Sequence, residues 1–134
     1  MWLFLPFDMT FKLCTFNCRG IQDSFKRKKV FHYFKSVGCD IIFLQETHSL
    51  MVDENLWKMQ WGEQAWFNSF ASNCRGVAIL IRNSISVKVN SVYKDREGRC
   101  LFLSVTLNDI PILLTNIYAP MMTMLNFILI LFPS

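Results

Sequence analysis

The sequence predicts an α+β or α/β fold built on a mixed sheet. Three observations carry that expectation. The chain opens strand, helix, strand and then runs mostly through strand patterns, an order that suits a mixed sheet rather than a doubly wound parallel one. Hydrophobic residues make up 52% of the 134 residues and charged residues 18%, which excludes a disordered polyelectrolyte and favours a buried, strand-rich interior. Thirteen phenylalanines add an aromatic load whose larger part must sit in a core. A chain of this length holds one domain and typically buries roughly two-thirds of its unfolded surface.

Residues 11–17 alternate loosely in polarity and read as a first strand ending at Arg19-Gly20. Asp23 or Ser24 can cap the helix that follows. Its apolar stripe is Phe25, Val30, Tyr33, Phe34 and Val37, with the basic run 26–29 largely in solvent, and Gly38 ends it. Ile41-Ile42-Phe43-Leu44 is a continuous apolar run, the mark of a strand buried on both faces. A segment carrying Trp57, Trp61 and Trp66 comes next. Strand candidates then cover residues 76–81, 86–92 and 101–107, Asn108-Asp109 signals a turn, and residues 112–118 form a strand closed by Pro120.

The net charge of +4 is compatible with a polyanionic partner but is ordinary for a soluble protein, so it selects no partner. Cys14, Cys18, Cys39, Cys74 and Cys100 are odd in number and scattered, with no pair or cluster at zinc spacing. Free buried thiols in a reducing compartment are the simplest expectation. Residues 1–7 are apolar but lack the basic region and small-residue cleavage site of a signal peptide, so secretion is not expected. Residues 1–9 read as an N-terminal extension, 10–120 as a domain and 121–134 as an apolar tail. Thr123 and Asn126 interrupt that tail, which falls short of the about 20 residues a spanning helix needs, so no membrane partner is expected.

Polar residues at the ends of apolar strands are the first candidates for chemistry, because such side chains can converge on one edge of a sheet. Asn17 ends the first strand, Gln45-Glu46-Thr47-His48 follows the buried run, and Asn116 and Tyr118 end the last.

These residues belong to four ordered motifs: Asn17-Cys18-Arg19-Gly20, then residues 40–48, then Arg75-Gly76 leading into residues 77–81, then Asn116-Ile117-Tyr118-Ala119-Pro120. The series closely resembles the first half of the endonuclease domains of LINE-type retrotransposons and, more distantly, abasic-site endonucleases, all of the endonuclease/exonuclease/phosphatase superfamily. The resemblance spans roughly residues 11–120. It implies an α+β fold of the α/β-sandwich type, the N-terminal half of a four-layer fold with a mixed, mainly antiparallel sheet and flanking helices. It further implies metal-dependent hydrolysis of phosphodiesters in DNA. Glu46 would be the metal carboxylate for Mg²⁺, or Mn²⁺ in its place, with Asn17 beside it. Tyr118 would set its hydroxyl near the scissile phosphate. Arg19, Thr47, His48, Arg75 and Asn116 would meet nucleic acid, the arginines through phosphate oxygens. His48 lies beside the metal position in such domains and is not their catalytic histidine. DNA is the implied partner and the nucleus the implied location; no small-molecule cofactor is implied.

Each residue also has an ordinary structural reading. Glu46 can cap a strand end or pair with a lysine, Asn17 can close an Asx turn, and Tyr118 can be a buried phenol with a satisfied hydroxyl. The superfamily's second half carries Gly-Asp-Phe-Asn, a further Asp and Ser-Asp-His, and this sequence holds none of them. The chain is therefore expected to supply only one of the superfamily's two facing sheets, to expose that sheet's inner face to self-association, and to have little or no nuclease activity. Two other readings stay open: a non-catalytic nucleic-acid-binding remnant using Arg19, Arg75 and the helix lysines, and a phosphatase of the same superfamily.

Overall fold

The computed structural model describes residues 2–5, 9–119 and 127–131. Its elements in chain order are β1 (Trp2–Leu5), β2 (Met9–Asn17), α1 (Ser24–Ser36), β3 (Ile41–Gln45), a 3-10 turn (Met51–Asp53), α2 (Glu54–Trp61), β4 (Gln64–Asn68), β5 (Val77–Ile81), β6 (Val87–Lys94), β7 (Cys100–Leu107), β8 (Ile110–Ile117) and β9 (Phe127–Leu131). The expected strands are all present within a few residues of their expected limits. β4 is an addition, short and mixed in polarity. The stretches expected as an extension and an apolar tail contribute β1 and β9. Pro120, expected to close β8, lies outside the described residues.

The strands form two sheets, not the single sheet expected. One has the order β1-β2-β3-β5-β4, the other β6-β7-β8-β9. β2 and β3 run parallel because α1 crosses between them; every other pairing is antiparallel. The sheets face each other across a core of Phe11, Leu13, Ile41, Phe43, Val77, Ile79 and Ile81 from the first and Leu101, Leu103, Val105, Leu107, Ile112 and Leu114 from the second. The inner face expected to be bare is thus covered. The strict alternation of β7, with Leu101, Leu103, Val105 and Leu107 buried, is the local pattern behind that layer.

The opposite face of the first sheet carries the helices. Ile42, Leu44, Ala78, Leu80, Ala65 and Phe67 pack with Phe31 and Phe34 of α1 and Trp57 and Trp61 of α2. β3 is therefore buried at every position, as its unbroken apolar run requires. Fully burying one such side chain contributes roughly 1.5–3 kcal/mol, so these two contact layers dominate the stabilisation.

α1 corrects two details. Asp23 caps it, its carboxylate accepting from Phe25 N at 3.3 Å, and Gly38 follows its end with φ +71. The buried face, however, is Arg27, Phe31 and Phe34, while Phe25 and Tyr33 are exposed. Arg27 leaves the expected solvated run: its guanidinium lies 4.6 Å over Trp57 and donates to Ile21 O, Gln22 O and Gln60 Oε1 at 2.7–3.0 Å. The expectation of free thiols also fails in part. Cys14 of β2 and Cys39 ahead of β3 form a disulfide, and Cys18, Cys74 and Cys100 stay free. Among the described residues no helix is long and apolar enough to cross a membrane.

Candidate active site

Five segments meet at one end of the two sheets and are joined edge to edge by main-chain hydrogen bonds. Past the ends of β2 and β3 the pairing continues: Cys18 N donates to Gln45 O at 2.8 Å, Gly20 N to Glu46 O at 2.7 Å and Ile21 N to Thr47 O at 3.1 Å. On the other side Thr47 N reaches Gly76 O at 3.0 Å and His48 N reaches Arg75 O at 2.8 Å. Gly76 N then donates to Gly98 O at 2.9 Å, and Tyr118 N to Arg99 O at 2.8 Å. A continuous rim results.

The rim's backbone is strained. Arg19, Glu46, His48 and Arg75 have φ of +50, +51, +55 and +60; among the described residues the other non-glycines at positive φ are Asn108 and Asp109, in the two-residue turn between β7 and β8. A non-glycine residue held there costs of order 1–3 kcal/mol, and such strain tends to collect at functional sites. Two glycines let the rim close. A Cβ on Gly76 would stand 2.3 Å from Thr47 Oγ1, and one on Gly20 would stand 2.5 Å from His48 Nδ1. Their φ values, +92 and +85, would strain any other residue.

Glu46 and Tyr118 meet at the centre. The first follows β3 in one sheet and the second follows β8 in the other, and the phenol lies close enough to the carboxylate to feel its charge. Burial, then the nearby Glu46 carboxylate, raise the phenol above its ordinary pKa, with Arg99 opposing. The Cys18 thiol lies close by; burial pushes it up to about 12, Glu46 adding to the effect and Lys26 opposing it. Asn17 pairs in register with Gln45, the residue before Glu46, and its Oδ1 accepts from Arg19 N at 3.0 Å, so the Asx turn is present. Lys26 Nζ donates to Cys18 O at 2.8 Å and Arg19 O at 3.4 Å, holding that turn from α1.

Of the residues expected to meet nucleic acid, three reach the surface. Arg19 is exposed. His48 is half-buried, its ring against Gly20 and its carbonyl accepting from Gln22 Nε2 at 2.7 Å. Arg75 donates to Glu97 Oε2 at 2.7 Å and lies 4.5 Å over the Phe70 ring. Thr47 and Asn116 correct the expectation, because both are 0% exposed. Thr47 Oγ1 bonds Ser49 Oγ at 2.9 Å. Asn116 ties the sheets together: Nδ2 donates to Leu44 O at 2.9 Å and Ala78 O at 2.8 Å, and Oδ1 accepts from Gln45 Nε2 at 2.9 Å. Neither has surface to offer a nucleic acid.

Sequence reasoning missed Arg99 altogether, and it gave Lys26 and Gln45 no part in holding the rim together. Gln45 was quoted within its motif, but its partners Thr15 and Asn116 lie 30 and 71 residues away. The central donors are the Glu46 carboxylate, the Asn17 amide oxygen and the Tyr118 hydroxyl, oxygen ligands of the kind Mg²⁺ and Mn²⁺ accept. Among the described residues no group of three or more His, Cys, Asp or Glu could hold a metal. A sparse oxygen set fits an ion that keeps waters and substrate oxygens better than one caged wholly by protein.

Comparison with known proteins adds three findings. The model of the endonuclease/exonuclease/phosphatase family matches residues 14–125. Over 112 residues the chain is 30% identical to the Transposon TX1 uncharacterized 149 kDa protein of Xenopus laevis, covering 84% of this chain and 9% of that protein. It is similar in structure to AP endonuclease LMAP from Leishmania major (TM-score 0.61, 18% identity, 81% of this chain and 40% of that one). It is likewise similar to an AP endonuclease from Archaeoglobus fulgidus (TM-score 0.57, 24% identity, 82% and 41%). At these identities the two structural likenesses speak for the fold. The chain spans less than half of either structure and a small part of the transposon protein.

Proposed function

The chain belongs to the endonuclease/exonuclease/phosphatase family, and on that premise we propose that its rim is one wall of a divalent-metal-dependent phosphodiesterase site that takes DNA. The observation that carries the reading is the meeting of Glu46 and Tyr118, delivered by different sheets to one place, with Asn17 in register with the residue before Glu46. The strained backbone at Arg19, Glu46, His48 and Arg75 supports the same reading, because such strain tends to collect at functional sites.

Glu46 and Asn17 would hold Mg²⁺ or Mn²⁺, which when bound supplies charge stabilisation to phosphoryl oxygens. Tyr118 keeps its proton at neutral pH, as any phenol does, and burial with the charge of Glu46 holds that proton more firmly still. Its hydroxyl therefore remains a donor that can turn from Glu46 to a phosphate oxygen, where charge gathers in the transition state. Arg19 and Arg75 would take flanking phosphates, with His48 on the same border. Activating water needs a base within hydrogen-bond reach. The His48 ring packs on Gly20, and Glu46 is engaged with Tyr118. The wall accordingly binds substrate and hydrolyses it weakly or not at all. A nuclear location belongs to the same proposal, suggested by the transposon relative.

The test is DNA binding and plasmid nicking by the purified chain. Binding at low salt that weakens as salt rises, strengthens with Mg²⁺ and loses that Mg²⁺ effect in Glu46→Gln is expected, with nicking near background. Mg²⁺-dependent nicking abolished by Glu46→Gln would refute the weak-hydrolysis part. No binding even at low salt would refute the whole reading. A second reading, a non-catalytic nucleic-acid-binding remnant, draws on the exposed Arg19 and half-exposed Arg75; it requires binding indifferent to Mg²⁺ and to Glu46→Gln.

A further inference from the structure

We propose that Arg75, held on Phe70, is a phosphodiester-binding subsite at the rim and that Glu97 occupies it in the free protein. The inference rests on the nucleic-acid reading above and says how one part of that surface is regulated. Arg75 stands just before β5 with φ +60, its guanidinium 4.5 Å over the Phe70 ring and its Nη1 2.7 Å from Glu97 Oε2. Three contacts fix the two loops that carry these side chains. His48 N donates to Arg75 O and Gly76 N to Gly98 O. Gly98 has φ +66 and passes so close to Phe70 that a Cβ there would stand 2.5 Å from the phenylalanine Cβ. The backbone is thus set on both sides, and the Arg75–Glu97 contact is the part left free to exchange.

A carboxylate and a phosphodiester offer a guanidinium similar acceptor oxygens. The Arg75 side chain is 27% exposed and that of Glu97 59% exposed. An ion pair so open to water contributes little to stability, so a phosphate can displace Glu97 without disturbing the loops. Phe70 keeps the guanidinium in place during the exchange through its cation–π contact. The main-chain bond from His48 sets the subsite two residues from Glu46, where it takes a phosphate beside the one at the centre. Glu97 acts against binding twice, by occupying the arginine and by repelling the incoming phosphate.

The test is a double-mutant cycle on binding of a short fluorescein-labelled DNA duplex, read by anisotropy at several salt concentrations. Glu97→Gln should tighten binding about fivefold at low salt, the size of one exposed ion pair, and steepen the salt dependence by about one phosphate contact. Arg75→Gln should weaken binding, and Glu97→Gln should have no effect in the Arg75→Gln background. Melting curves that match the wild type will show that each variant is folded. Unchanged or weaker binding by Glu97→Gln overturns the inference while leaving the proposed function standing. Equal tightening in both backgrounds also overturns it, because the effect is then one of net charge. Absence of DNA binding by the wild type and every variant overturns the proposed function and this inference together.

Discussion

Asn116→Ala separates a structural role from a recognition role most cleanly. The side chain is 0% exposed and makes three hydrogen bonds of 2.8–2.9 Å, two donated to Leu44 O and Ala78 O and one accepted from Gln45 Nε2. The substitution removes all three, although Leu44 and Ala78 remain partners in the β3–β5 ladder and Gln45 Nε2 keeps Thr15 Oγ1 at 3.0 Å. A buried hydrogen bond contributes about 0.5–1.5 kcal/mol net, so losing three, together with the void left by the amide, is expected to cost about 2–5 kcal/mol. Against a typical total of about 5–15 kcal/mol, that is a large fraction. At about 4 °C per kcal/mol for a domain of this size, the melting temperature should fall by roughly 8–20 °C. Asn116→Asp should cost at least as much at neutral pH, because a carboxylate would face the carbonyls the amide now serves. Thermal and urea denaturation measure the change, and DNA binding is read at a temperature where the variant is folded. A melting temperature within a degree or two of wild type with DNA binding lost would refute the bridging role.

Three further predictions follow from the same geometry. Arg27→Met keeps an apolar stem over Trp57 but strands Ile21 O and Gln22 O. It should cost about 2–4 kcal/mol, whereas the exposed neighbour Lys28→Met should stay within about 0.5 kcal/mol, both read by urea denaturation. The Cys14–Cys39 bridge spans a sequence separation of 25. Its loss in a Cys14→Ser/Cys39→Ser double variant should cost about 3 kcal/mol on the loop-entropy account, and thiol titration of the oxidised wild type should find three free cysteines. Cys18 has a folded-state pKa raised to about 12 from an ordinary 9.0, first through burial. Because the fold holds that proton more tightly than the unfolded chain, its contribution is complete below pH 9 and is lost as pH rises toward 12. Stability should therefore fall across that alkaline window, and less steeply in Cys18→Ala.

Much of the fold is legible where burial leaves a local period. The unbroken run of β3 and the alternation of β7 announce their environments, and Asp23 and Gly38 mark the ends of α1. Arg27 is misread because a basic residue in a basic run suggests water, while Gln60, which accepts from it, and Trp57, beneath it, are some thirty residues along the chain. The disulfide escapes for a similar reason: spacing cannot say that α1 returns Cys39 to within 6.2 Å of Cys14, Cα to Cα. The second sheet is missed because alternation tells that one face is buried but not what buries it.

Asn116 and Tyr118 show where the sequence stops and the tertiary structure begins. The sequence by itself determined that both are polar, that they end one apolar strand, and that a period of two sends them to the same face. It marked Glu46 and Asn17 at other strand ends by the same logic. Only the packing of the two sheets decided that Asn116 lies between them, fully buried and bonded across the gap, while Tyr118 emerges at the rim against Glu46. The line between a bridge and a site residue falls where the sheets stop covering each other. That line depends on contacts between residues some seventy positions apart, which no local period encodes.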